Sequence, residues 1–489
     1  MPRSSPFPKS DAEADAIRRV SVNALWLIVQ PLLLNLMGIP VLAYATRVLG
    51  EVNYGRFVLG SSTALLVMGL CLLGTRAVAV RTMAAHRDAA ARYAGELLAW
   101  RAVSGALVMG LAAWLAASPS LGFSPPARHV FYAALAWQYL ALLTGTLADY
   151  FHANERMALS ARSQLAAGLA LNVATLLFLA LGGGLTGYCA AYVLGGAVGF
   201  GTALLGLRGM PWPRLRLRWG FVRELAAAAA PFMLLAVVGT ISARLDVWIV
   251  TRATGEAGAG LYGAAFGLIQ RLIVVPDGIA TSLYPALAAA SAGESTPAEG
   301  LLRRYLVWMG MVTLPIALAV SLLAPAIVAV LYGPRFAGAA PLLAMAIWLL
   351  PLAGVQMLAA TALNAAHLQR ITVRSSLLAN AVVLTGLLLL TPRWGLIGAV
   401  TAILAREAVA TTICAGAAIR RFPGCLDRKA LPAAAIVWAI TATLASLARM
   451  LPPGWEVVGI AAVMGLVYPG LLWRAGLLPG RRRLRGRTP

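Results

Sequence analysis

The chain has 489 residues, 60% of them hydrophobic and 12% charged, with a mean hydropathy of +0.81 and a formal net charge of +23. Soluble domains sit nearer to about 45–50% apolar and about 25% charged, so a soluble fold is excluded. A bilayer core needs roughly 20 apolar residues per helix, so a chain this long with short connections holds roughly twelve to fourteen spans and leaves no stretch for a separate soluble domain.

Residues 1–22 mix acids and bases and contain no apolar core followed by a small-residue cleavage site. The segment is therefore expected to be cytoplasmic, with the first apolar run serving as an uncleaved anchor. Apolar runs bounded by charge or by Gly and Pro then follow at 23–46, 57–75, 97–117, 129–150, 161–181, 185–206, 225–250, 261–290, 305–331, 337–363, 373–391, 394–418, 430–449 and 456–473. The expectation is an all-α integral membrane protein of about 14 transmembrane helices.

Charge placement gives the orientation. Of the 40 Lys and Arg residues, Arg47, Arg56, Arg128, Arg252, Arg335, Arg393 and Arg449 fall in one set of alternate loops, and Arg244, Arg271 and Arg406 inside the runs. The other 30 lie on the side of the N-terminus, which places both ends in the cytoplasm, because Lys and Arg are retained there during insertion. The basic excess is thus topological first, and a nucleic-acid role is set aside. The clusters Arg208/Arg214/Arg216/Arg218/Arg223 and Arg481/Arg482/Arg483/Arg485/Arg487 also suit anionic membrane lipids.

An internal repeat divides the chain. Thr46-Arg47-Val48-Leu49-Gly50-Glu51 is echoed by Thr251-Arg252-Ala253-Thr254-Gly255-Glu256, and each is followed by a Tyr-Gly pair, Tyr54-Gly55 and Tyr262-Gly263. Two six-helix bundles in parallel repeat are expected at 23–206 and 225–418. They are separated by a basic cytoplasmic linker at 207–224 and followed by helices 13 and 14 at 419–473 and a basic tail at 474–489.

Ionisable groups inside a bilayer cost several kcal/mol and are functional candidates by default. Arg244 and Asp246 lie in the seventh run, Arg271 and Asp277 in the eighth, Arg406 and Glu407 in the twelfth. Three arginines lining a cavity between the halves suit a phosphate-bearing anion, because guanidinium stays charged and grips such groups with a planar fork. The alternative is internal pairing with Asp246, Asp277 and Glu407, which are the candidate ion or salt-bridge partners. Prolines recur in runs 1 (Pro31, Pro40), 7 (Pro231), 8 (Pro276, Pro285), 9 (Pro315, Pro325) and 10 (Pro341, Pro351), where bent helices suggest hinges. Asn23, Gln30, Asn35, Gln138 and Asn172 offer neutral hydrogen bonds either to sugar hydroxyls or between helices. The scattered Cys71, Cys189, Cys414 and Cys425 and the four histidines have no metal or disulfide spacing, so no metal and no cofactor is expected. The chain has no G-x-x-x-x-G-K-[ST] loop, so any transport is expected to be secondary.

The run Asn23-Ala24-Leu25-Trp26-Leu27 through Arg47-Val48-Leu49-Gly50 and Tyr54-Gly55-Arg56-Phe57 resembles the opening of Wzx-type polysaccharide flippases. So do Gly74 with Arg81, Asp246 before Gly260-Leu261-Tyr262-Gly263-Ala264-Ala265, Pro276 with Tyr284-Pro285-Ala286-Leu287, and Leu331-Tyr332-Gly333-Pro334-Arg335-Phe336. These motifs cover most of residues 20–420 and mark the polysaccharide branch of the multidrug/oligosaccharidyl-lipid/polysaccharide (MOP) exporter superfamily. The resemblance implies a flippase of the bacterial inner membrane that moves an undecaprenyl-pyrophosphate-linked oligosaccharide to the outer leaflet by alternating access. O-antigen, capsule or exopolysaccharide assembly would follow, with a polysaccharide polymerase and glycosyltransferases as partners. Extending substrate binding to Arg244, Arg271 and Arg406 is an inference from their depth, not from the motifs.

Two other classes compete. A cation-coupled multidrug exporter of the same fold calls for a net acidic cavity, whereas the bases here match the acids; a related lipid II flippase calls for arginine-rich opening spans that are missing. A membrane polysaccharide polymerase or ligase calls for a sizeable outer loop, and every outer loop is about a dozen residues or fewer.

Overall fold

The computed structural model describes residues 11–474 apart from 73, 119–122, 243, 292–297, 426–430 and 452–454, with side chains given from residue 30 onward except at a few helical positions. The Arg481–Arg487 cluster, the side chain of Asn23 and that of Pro231 therefore lie outside the described residues. The chain is all-helical: α1 (Asp11–Gly69), α2 (Thr75–Ala85), α3 (Ala90–Ala117), α4 (Pro125–Ala153), α5 (Met157–Ala180), α6 (Gly184–Gly206), α7 (Trp219–Ser242), α8 (Leu245–Ser291), α9 (Ala298–Leu331), α10 (Ala339–Ala346), α11 (Leu349–Ala365), α12 (Gln369–Arg421), α13 (Leu431–Ala448), α14 (Trp455–Ala462) and α15 (Tyr468–Arg474). Among the described residues, ten helical stretches are long and apolar enough to cross a membrane. Their exteriors are apolar as well; Leu107, Leu111 and Trp114 stand exposed along one face of α3, as a hydrocarbon solvent requires.

α1, α8 and α12 are each two helices meeting end to end at a kink, and the kinks fall at or beside the expected boundaries between runs 1 and 2, 7 and 8, and 11 and 12. In each the helical path is broken at a single non-helical residue, Gly50 (φ 73°, ψ 172°), Gly255 (φ 76°, ψ −176°) and Gly395 (φ 57°, ψ −135°). The helices run on through Pro31, Pro40, Pro276, Pro285, Pro315 and Pro325. Proline removes one backbone N–H hydrogen bond and tilts the axis, but its φ stays helical, whereas the dihedrals at the three breaks are open freely only to glycine. The tenth run is split instead into α10 and α11, and Pro351, the third residue of α11, sits in the first turn, where a missing N–H is tolerated.

The chain divides into two compact units, 1–248 and 249–489. In the first, α4 is central: α1, α3 and α6 pack along it, and α5 lies against α1 and α6. Gly195 and Gly199, one turn apart on α6, face α5 so closely that added methyl groups would press on Leu171 and Ala167. Small residues at such a seam let helices approach where lipid offers no hydrophobic drive. At one end of this unit, Met83 of α2, Leu97 of α3, Leu147 and Phe151 of α4, Leu207 and Phe221 form a core. In the second unit α11 packs on α9 and α12, burying Leu283, Leu302, Met309 and Leu358 together. α13 and α15 meet through Val437, Tyr468 and Leu472, with Met311 of α9 against them.

Candidate functional site

Among the described residues, the most deeply buried charges are Arg101 and Asp149, each 1% exposed. Arg101 is the twelfth of the 28 residues of α3, and Asp149 lies near the end of α4. Arg101 Nη1 donates to Asp149 Oδ2 at 3.1 Å and to Thr146 Oγ1 at 3.0 Å, and Nη2 donates to Thr75 Oγ1 at 3.2 Å. The two threonines donate their own protons to backbone carbonyls, Thr75 to Leu72 in the turn before α2 and Thr146 to Leu142 within α4. Arg76, at the start of α2, closes the group by donating from Nε to the other carboxylate oxygen of Asp149 at 2.9 Å. One carboxylate is thus held between two guanidiniums, with Arg76 itself 63% exposed. This arrangement ties the short helix α2 to the α3–α4 pair and leaves one positive charge in excess. Among the described residues, the Nε of Arg101 is buried without a partner.

Sequence reasoning missed this group. Both residues fall inside apolar runs, at 97–117 and 129–150, but close to their ends, where a charge reads as part of the adjoining loop. The usable signal was a carboxylate and a guanidinium at matching depth in consecutive runs.

The residues singled out from sequence are distributed between the units. Arg244 lies in the interruption between α7 and α8, and Asp246 opens α8, its Oδ1 accepting from the Val247 amide at 2.8 Å. Arg271 is half-buried and Asp277 exposed, both in α8 beyond Gly255. Near Arg271, Tyr332 donates its hydroxyl to the Ala264 carbonyl at 3.0 Å. Burial pushes that phenol up to about 12, with the Arg271 charge opposing the rise, so it is a neutral donor at any physiological pH. Arg406 pairs with its chain neighbour Glu407 at 3.4 Å, the arginine partly exposed and the glutamate nearly buried. The structure therefore brings Arg406 to one of its expected acidic partners. Among the neutral candidates, Gln30 reaches Gln164 at 3.5 Å and joins α1 to α5, while Asn35 donates to the Pro31 carbonyl at 2.9 Å.

A family model for polysaccharide biosynthesis proteins matches residues 20–291. No curated protein sequence matches the chain. Among solved structures, a lipid II flippase, MurJ, in an inward closed conformation is similar with a TM-score of 0.72 at 11% identity, over 94% of this chain and 99% of that one. An inward-facing multidrug resistance MATE family transporter of the MOP superfamily is similar with a TM-score of 0.66 at 14% identity, over 82% of this chain and 98% of that one. A MOP superfamily transporter from Pyrococcus furiosus gives 0.59 at 16% identity, over 82% and 96%. At these identities the likeness establishes the fold, which is that of the MOP transporters.

Proposed function

Because the chain belongs to the polysaccharide biosynthesis protein family, we propose that it is a flippase carrying a polyprenyl-pyrophosphate-linked oligosaccharide across the bacterial inner membrane. The family match over 20–291 carries the reading. It is supported by a fold shared with a flippase of another lipid-linked substrate. Transport runs by alternating access from the cytoplasmic to the outer leaflet, without ATP hydrolysis by this chain, and supplies surface or exopolysaccharide assembly. Arg244, Arg271 and Arg406 are the proposed pyrophosphate contacts, since each places a permanent positive charge within or beside an apolar helix. Asp246, Asp277 and Glu407 are their proposed counter-charges or ion sites.

The test is translocation of a labelled undecaprenyl-pyrophosphate oligosaccharide in proteoliposomes, read as the fraction becoming accessible to an impermeant glycosidase, with ethidium efflux as comparison. Sugar-lipid transfer without ethidium transport is expected. Ethidium transport alone would replace this reading with the multidrug one, which the MATE-like fold favours. The double variant Arg271→Gln/Arg406→Gln is expected to remain in the membrane at normal levels and to lose at least tenfold in transfer. An unchanged rate would remove both residues from the substrate path.

A further inference from the structure

The segment joining α6 to α7 does not hang free. Residues 211–218 carry no helix, yet they are fixed across the end of the first unit by three independent contacts. Tyr150 of α4 donates its hydroxyl to the Pro211 carbonyl at 3.0 Å. Arg218 pairs with Glu96 of α3 at 3.1 Å. The Arg214 backbone lies so close to α3 at Gly95 that a Cβ there would collide with it. The segment is a strap, and its backbone needs the missing side chain of Gly95 to seat.

What the strap presents outward is unusual for a tied-down loop. Trp212, Leu215, Leu217 and Trp219 are all exposed, interleaved with exposed Arg214 and Arg216, and Arg208 is exposed just after α6 ends at Gly206. Among the described residues, Arg208, Arg214 and Arg216 form no ion pair. Large apolar side chains next to unpaired cations would be unfavourable in bulk water. At the end of a membrane-spanning helix they match the interface, where indole and leucine enter the acyl boundary and guanidiniums meet phosphates. The sign of the charge selects anionic lipid over zwitterionic lipid.

We propose that the 208–219 strap is a docking site for the headgroups of bulk anionic phospholipids such as phosphatidylglycerol. Arg208, Arg214 and Arg216 take phosphate oxygens, while Trp212, Leu215 and Leu217 rest on the upper acyl chains. The site is separate from the arginines proposed to meet the transported lipid, and its test does not need transport.

The full-length protein is reconstituted in nanodiscs containing equal phosphatidylglycerol and phosphatidylcholine, and lipids retained after mild detergent extraction are counted by native mass spectrometry. The wild type is expected to retain phosphatidylglycerol preferentially, each arginine contributing about fivefold at low salt. Arg208→Gln/Arg214→Gln/Arg216→Gln is expected to bring the ratio close to one while helical circular dichroism is unchanged. Should that variant not fold, Arg216→Gln alone is expected to lower the ratio about fivefold. Gly95→Ala, which alters no charge, is expected to weaken the preference by unseating the strap. A wild-type ratio in the folded triple variant, or in Arg216→Gln where that is the one measured, overturns the proposal. Discs that also carry trace undecaprenyl phosphate separate the lipid sources: its retention in place of phosphatidylglycerol overturns the proposal, as does full displacement of phosphatidylglycerol by added millimolar inorganic phosphate.

Discussion

At the residue scale, the buried Arg101–Asp149 pair governs the first unit. Asp149 neutralises a guanidinium that cannot shed its proton, and the same carboxylate holds Arg76. Asp149→Asn is therefore predicted to leave Arg101 charged and uncompensated, a loss of about 3–5 kcal/mol. A large fall in the thermal unfolding midpoint is expected, and α2 should become open to proteolysis. Arg76→Gln removes a mostly exposed partner and should lower the midpoint far less. An Asp149→Asn protein as stable as wild type would show that the pair contributes nothing. His367 makes the opposite case. It sits at φ 59° at the end of α11, a conformation that strains any residue with a Cβ. His367→Gly is predicted to stabilise by about 0.5–1 kcal/mol, read as a rise in the same midpoint.

At the scale of elements, the repeat seen in sequence turns out to be a repeat of backbone geometry. Gly50 and Gly255, the glycines of the two Thr-Arg-x-x-Gly-Glu stretches, adopt nearly the same dihedrals, φ 73° with ψ 172° and φ 76° with ψ −176°. The tyrosines that follow are both buried and stack on the next phenylalanine, Tyr54 on Phe57 and Tyr262 on Phe266. A second correspondence emerges from the backbone. Glu155 and His367, both at φ 59°, end α4 and α11 with the same motif, the amide of Arg156 reaching the Phe151 carbonyl at 2.9 Å and that of Leu368 the Leu363 carbonyl at 2.8 Å. Seven residues on from each stands an Arg-Ser pair, Arg162-Ser163 and Arg374-Ser375. Gly50→Ala and Gly255→Ala are each predicted to cost about 1–3 kcal/mol, because only glycine occupies that region freely. Gly110→Ala, in the middle of α3 with open space around it, should be neutral or slightly stabilising. Equal behaviour of all three variants in thermal unfolding would refute the assignment of Gly50 and Gly255 as obligate breaks.

At the scale of the whole molecule, the distribution of basic residues predicts which ends of the helices face the cytoplasm. In a background lacking the four native cysteines, a cysteine at Arg208 should react with an impermeant maleimide only after the cytoplasmic face is opened. A cysteine at Gly182, between α5 and α6, should react in intact cells. The reverse pattern would invert the proposed orientation and, with it, the direction of transport.

Composition and apolar periodicity determined by themselves that this is an all-helical membrane protein, because a bilayer admits only helices of a certain length and each announces itself as a local run. The order of the motifs likewise pointed to the polysaccharide family. The runs marked the boundaries near which the long helices break, but not that each break rests on one residue, Gly50, Gly255 or Gly395, in a backbone conformation that only glycine adopts freely. Nor did they show that Arg101 faces Asp149, or that the 207–224 linker is held against α3 at Gly95. Those are relations between residues dozens of positions apart, set by how helices pack. A side chain's burial and partners are decided there, and one-dimensional hydropathy carries no trace of them.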